Sequence, residues 1–144
     1  MNHIPTSCAL GVVLGLASCT YCDSEKEKSQ KIAQSMFDAF NRHDWVDMSM
    51  HYKDTAQFLD PSFGPAYVKK SREDIINKYA EFQQAFPNLH DQVVAIHVAG
   101  NVATVEFIST GTSNEGYEFK IPIVSVLTIE HGLITKDATY YDQP

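Results

Sequence analysis

No cysteine follows Cys22 in this chain of 144 residues, so whatever folds beyond that point is held by packing and hydrogen bonds, without disulfides. No Lys, Arg, Asp or Glu precedes Asp23, so all 11 basic and 18 acidic residues lie from there onward. The net charge of −7 argues against nucleic acid as a partner, because neutralising phosphates takes clustered cations. It also disfavours electrostatic adsorption to anionic lipid. The apolar run at residues 9–17 falls short of the about 20 residues that a transmembrane helix needs. There are no internal repeats and no low-complexity tracts. His-Glu-x-x-His, a phosphate-binding loop, a dinucleotide fingerprint and a nucleophilic serine elbow are all missing, so neither a metal nor a cofactor is expected.

What the first twenty residues do contain reads as an address. Ala9 to Ala17 has the length of the apolar core of a secretory signal. It runs into Leu16-Ala17-Ser18-Cys19, which resembles the lipobox of bacterial lipoproteins. The resemblance implies that 1–18 is removed, that Cys19 becomes a lipidated N-terminus, and that 19–29 is a tether. The protein would then sit in the bacterial cell envelope, held to the membrane by its N-terminal lipid. If the host has two membranes, Thr20, which is not Asp, implies the outer one, with the protein facing the periplasm. Cys19-Thr20-Tyr21-Cys22 as a redox or zinc pair would need a thioredoxin-like context or two further ligands, and the sequence shows neither.

Residues 30–144 suffice for one domain with one core, and every aromatic residue except Tyr21 lies beyond Asp23. Ile32, Met36, Phe37 and Phe40 recur at helical spacing, predicting a first helix that ends near Asn41-Arg42-His43. Asp44 is placed to cap a second helix with Trp45, Met48 and Tyr52 on its apolar face. Thr55 to Asp60 reads as a short extended piece stopped at Asp60-Pro61, and 61–70 as a loop. Ser71-Arg72-Glu73-Asp74 resembles a capping box, opening a helix with Ile75, Tyr79, Phe82 and Phe86 on one stripe, ended by Pro87. The period then switches to two: Val94, Ile96 and Val98 alternate before a Gly100-Asn101 turn, with His97 on the opposite face, either cavity-lining or solvated. Strands follow over Val102–Thr112, Tyr117–Glu130 and Leu133–Asp142. Three helices packed on a curved antiparallel sheet make an α+β domain.

Several motifs in this order resemble the SnoaL-like polyketide cyclase family, within the cone-shaped superfamily of nuclear transport factor 2 and ketosteroid isomerase. They are Ala39-Phe40-Asn41, Ala56-Gln57-Phe58-Leu59-Asp60-Pro61, Phe86-Pro87-Asn88-Leu89, and Glu130-His131-Gly132-Leu133-Ile134 followed by Tyr140-Tyr141-Asp142. The resemblance implies a cone with a ligand pocket, with Asp60 at the general-base position of ketosteroid isomerases and Tyr79 beside it. The positions of that family's oxyanion donors fall on Met36 and near Val124, which cannot donate a hydrogen bond from their side chains. A homodimer through the open face of the sheet is a further implication, with Val124 and Val126 on the interface side.

Two functions remain. One is a non-catalytic domain binding a small hydrophobic molecule or a partner in its cone. The other is a cofactor-independent isomerase, cyclase or dehydratase using Asp60 as base, its pKa raised by desolvation. Asp60 reads equally as an Asx turn before the loop. Tyr140 and Asp142 share a face and read either as ligand contacts or as a strand-end pair. Trp45 and Tyr52 read either as core or as pocket. The expected pocket is therefore Met36, Trp45, Tyr52, Asp60, Tyr79, Val124, Tyr140 and Asp142.

Overall fold

The computed structural model describes residues 17–142. Most of the expected signal segment, residues 1–16, lies outside the described residues. Helix α1 spans Ala17–Asn41. The stretch read as a tether, 19–29, is helical, in keeping with the helix-forming Glu and Lys it contains and with a Lys28–Glu25 pair at 2.9 Å. Its Met36, Phe37 and Phe40 face the core, as their spacing predicts. Among the described residues, no helix is long and apolar enough to cross a membrane.

Helix α2 (Trp45–Met50) is capped by Asp44, whose side chain accepts from the Asp47 amide at 2.9 Å. Tyr52, expected on this helix, instead opens strand β1 (Tyr52–Leu59). Part of the expected loop is ordered as well: Pro61–Phe63 form a 3-10 turn, and Val68–Ser71 form strand β2, which pairs antiparallel with β1. A four-residue strand bearing Lys69 and Lys70 is a typical short, charged sheet edge, which alternation cannot reveal. The capping box is present at Ser71 and Asp74, and helix α3 runs Arg72–Ala85.

Strands β3 (His90–Ala99), β4 (Val102–Thr112), β5 (Glu118–Glu130) and β6 (Leu133–Tyr140) form a meander. His131 and Gly132 both have positive φ (52° and 80°), the conformation that a tight two-residue hairpin demands. The sheet order is β2-β1-β6-β5-β4-β3, and β1 lies parallel to β6. The sheet is thus antiparallel except at that one pair.

Two irregularities reset the alternation of side chains. In β3 the register shifts between Val93 and Ala95. Val93, Ile96 and Val98 therefore pack toward the core, while Val94 is turned out, 60% exposed. His97 is solvated, 3.5 Å from Glu106 on the neighbouring strand. In β6 the shift lies between the pairs Thr128↔Lys136 and Ile129↔Ile134. It places Asp137, rather than Lys136, on the inner face with Ile134. The core joins Phe37, Phe40 and Met48 from the helices to Phe58, Val105, Leu127 and Ile134 from the inner face of the sheet.

Candidate functional site

Between the helices and the concave face lies a cavity of about 500 Å³. Met36, Phe37 and Phe40 reach it from α1; Lys78, Tyr79 and Phe82 reach it from α3; Phe107, Phe119, Ile121 and Ile123 supply its apolar floor. The floor follows from period-two alternation along β4 and β5.

Asp60 falls on the inner face by the same alternation as Ala56 and Phe58. Its Oδ1 accepts from the Ser62 amide at 2.8 Å, so the Asx reading is correct locally. It nevertheless lines the cavity with Tyr79, and its side chain is only 13% exposed. Lys78 donates to Oδ2 at 2.8 Å, and the Tyr141 hydroxyl donates to Oδ1 at 3.2 Å. Burial pushes the Asp60 carboxyl up, as expected. The Lys78 ammonium and the hydrogen bonds from Lys78 and Ser62 outweigh that, and they hold it below the ordinary carboxylate range. The expectation of a raised pKa at Asp60 is therefore corrected. Lys78 also donates to Ser62 Oγ at 2.9 Å and lies 4.0 Å from the Phe63 ring centroid.

A second carboxylate, Asp137, stands on β6. It accepts from the Tyr52 hydroxyl at 2.8 Å and from Thr139 Oγ1 at 3.0 Å, and Thr139 in turn meets Ser125 Oγ at 2.7 Å. Burial raises its pKa, opposed by the Tyr52 and Thr139 hydrogen bonds. A third, Asp91, is buried at the start of β3 opposite Ser109 on β4. Asn41 fastens its backbone in both directions, each bond 2.8 Å long. Burial lifts its pKa to about 7, against the pull of the Ser109 hydrogen bond. Its Oδ1 is buried without a hydrogen-bond partner. Tyr79 stays a protonated donor, its pKa pushed up by burial and by the neighbouring carboxylates.

Of the expected pocket residues, Met36, Tyr52, Asp60 and Tyr79 line this cavity. The other four do not. Trp45 lies behind the wall, stacked on Tyr79 at 5.7 Å between ring centroids. Val124 is on the outer face, where it pairs with Tyr140, because its alternation partners are Pro122 and Val126. Tyr140 is 53% exposed, and Asp142 lines a separate shallow depression. The β6 irregularity explains both, since simple alternation from Ile134 would have turned 140 and 142 inward. Sequence reasoning missed Lys78, Asp91, Asp137 and Tyr141. A signal existed for two of them: polar Ser109, Ser125 and Thr139 interrupt apolar inner-face runs, marking where a polar wall begins.

A family model described as SnoaL-like domain matches residues 33–136, and the chain belongs to that family. Its fold is the cone of nuclear transport factor 2 and ketosteroid isomerase-like proteins. The chain is similar to a provisionally assigned SnoaL-like polyketide cyclase of Jannaschia sp. CCS1, with TM-score 0.70 and 18% identity over 82% of this chain and 88% of that one. It is similar to IdmH, a provisionally assigned polyketide cyclase of Streptomyces antibioticus, with TM-score 0.70 and 19% identity over 79% and 91%. A protein of Catenulispora acidiphila DSM 44928 with a ketosteroid isomerase-like fold, in complex with trimethylamine, gives TM-score 0.69 and 20% identity over 77% and 85%. Likeness at these identities speaks for the fold. No curated protein matches the chain.

Proposed function

We propose that the domain binds a small, mostly hydrophobic molecule carrying polar groups in its cone. The observation that carries this reading is the cavity of about 500 Å³. That size lies within the range of small-molecule sites, and an apolar wall with a few placed polar groups is their usual chemistry. A proton-transfer reaction at Asp60 would begin from a weak base, because Lys78 keeps the carboxylate ionised with low proton affinity. Two of the three cavity tyrosines, Tyr52 and Tyr141, already donate to carboxylates, which leaves Tyr79 as the tyrosine donor for an oxyanion.

Native mass spectrometry of the protein purified from its own host tests the binding reading. A bound small molecule is expected, together with its loss from Ile123→Trp, which fills the cavity floor. Recovery of the native chain without any adduct, and no uptake from a host lipid extract, would count against it.

We further propose that the chain is exported and anchored through Cys19, on the strength of its Leu-Ala-Ser-Cys sequence. Several acyl chains together anchor stably, at about 0.8 kcal/mol per buried CH₂. Cys19→Ser is expected to move the protein from the membrane fraction to soluble or uncleaved forms. A variant still processed and membrane-bound would overturn the proposal.

A further inference from the structure

The three aspartates that line the cavity are not equivalent. Asp60 has a cation, Lys78, and Asp137 has two hydroxyl donors. Asp91 has the Ser109 hydroxyl, while its Oδ1 is buried with nothing to accept from. A buried acceptor left unmatched is costly, so native proteins rarely keep one without a role. Among the described residues no Lys, Arg or His forms an ion pair with Asp91, and Lys78 is committed to Asp60 and Ser62. The position is nonetheless firmly built. Asn41 grips the Asp91 amide and carbonyl, so the side chain leaves a fixed backbone toward the cavity.

The surroundings favour one kind of donor. Phe107 stands two residues from Ser109 on the same face of β4, and Phe37 packs edge-on against it with centroids 4.8 Å apart. Carboxylate oxygen beside aromatic rings suits an organic cation, which the carboxylate neutralises and the ring faces attract. A neutral hydroxyl would satisfy the acceptor but leave the carboxylate charge buried without a counter-charge.

We propose that the Asp91–Ser109 end of the cavity is a subsite for the ammonium group of a hydrophobic amine, with the Asp91 carboxylate as its acceptor and counter-ion. This rests on the reading that the cone holds a small hydrophobic molecule, and it names the class of that molecule. Ser109 lies opposite Ile121 on β5, four residues from Ser125, or about 13 Å of strand. An amine seated at Asp91 therefore runs its apolar body across Ile121 and Ile123 toward the polar group formed by Ser125, Thr139 and Asp137. The near-neutral pKa of Asp91 fits this role, since an arriving cation completes the ionisation that burial resists.

Calorimetric titration of the full chain at pH 7.5 with 4-phenylbutylamine, 4-phenyl-1-butanol and 4-phenylbutyrate tests the proposal. The amine is expected to bind about tenfold or more tightly than the alcohol, with the acid weakest. In Asp91→Asn the amine is expected to fall to the level of the alcohol, while the alcohol itself changes little. Alcohol binding equal to amine binding in the native chain overturns the subsite while leaving the hydrophobic cavity standing. So does an amine preference that survives in Asp91→Asn, which would place the cation at another carboxylate. Failure of all three probes to bind removes the cavity reading, and the subsite with it. The order of the three probes on the native chain decides the matter even if the variant folds poorly.

Discussion

Asp91→Asn is expected to be more stable than the native chain at pH 8, by up to about 4 kcal/mol, and nearly equal to it at pH 4. Asp91 is 5% exposed, and burial lifts its pKa from the ordinary 3.8 to about 7. Its folded pKa thus lies above its unfolded one, so the native state holds more protons between about pH 4 and pH 7. Stability therefore falls as pH rises through that window. Each pKa unit corresponds to 1.36 kcal/mol, and the shift of about three units gives the expected ceiling. Below pH 4 the carboxyl is protonated in both states and resembles the neutral amide of Asn, so the substitution does little. Asp137, also raised by burial, and Asp60, lowered chiefly by Lys78 against its own burial, are unchanged in the variant. They largely cancel when the two stability profiles are subtracted. Urea denaturation of both proteins from pH 4 to pH 8 measures the difference. A difference independent of pH would mean that Asp91 titrates normally and is not desolvated. Such a carboxylate, costly to the fold when ionised, is the kind of group retained for function at the expense of stability.

Local chemistry was legible in the sequence, and pairings between distant strands were not. The Asp44 cap, the Ser71–Asp74 capping box and the His131-Gly132 turn each depend on residues a few positions apart, so pattern reading located them. The strands β4 and β5 likewise follow from alternation. Strand β2 exists because β1 offers an edge to pair with, and nothing in Val68-Lys69-Lys70-Ser71 by itself requires a strand. The candidate site was half legible for the same reason. Asp60 and Tyr79 came from motif and helical spacing, and they do share the cavity. Lys78 adjoins Tyr79 in sequence, but its role comes from reaching an aspartate 18 residues away. Asp137 and Tyr141 depend on the irregularity in β6, which reverses the parity of every later residue in that strand. Asp91 faces inward because β3 is in register with β4, Asp91 opposite Ser109. A single strand read alone does not carry that register.

Trp45→Ala is expected to cost about 3–5 kcal/mol of stability, the range for removing a buried aromatic side chain, although Trp45 touches no ligand space. It is 7% exposed and joins three elements. Its ring meets Phe40 of α1 edge-on at 5.3 Å and stacks with His43 at 5.3 Å and with Tyr79 of α3 at 5.7 Å. The indole Nε1 donates to Gln83 Oε1 at 2.8 Å. The Gln83 amide reaches His43 Nδ1 at 2.8 Å, and His43 Nε2 lies 2.7 Å from the Leu89 carbonyl. Truncation leaves a cavity behind Tyr79 and breaks this chain at its first link. Trp45→Phe keeps an aromatic ring for the packing and loses the Gln83 bond, so it is expected to cost about 1–2 kcal/mol. Trp45 is the single tryptophan, so unfolding of the variants must be followed by circular dichroism in place of tryptophan emission. The urea midpoint is expected to fall with an unchanged slope, the sign of a native state weakened without a change in the surface exposed on unfolding. Because Tyr79 is both the stacking partner of Trp45 and a wall of the cavity, Trp45→Ala should also weaken binding of 4-phenyl-1-butanol, whereas Trp45→Phe should largely preserve it. A loss below about 1 kcal/mol in Trp45→Ala, with binding intact, would show that α3 is held over the sheet by other contacts. The Phe82, Phe86 and Phe119 cluster at the C-terminal end of that helix would then be the clasp.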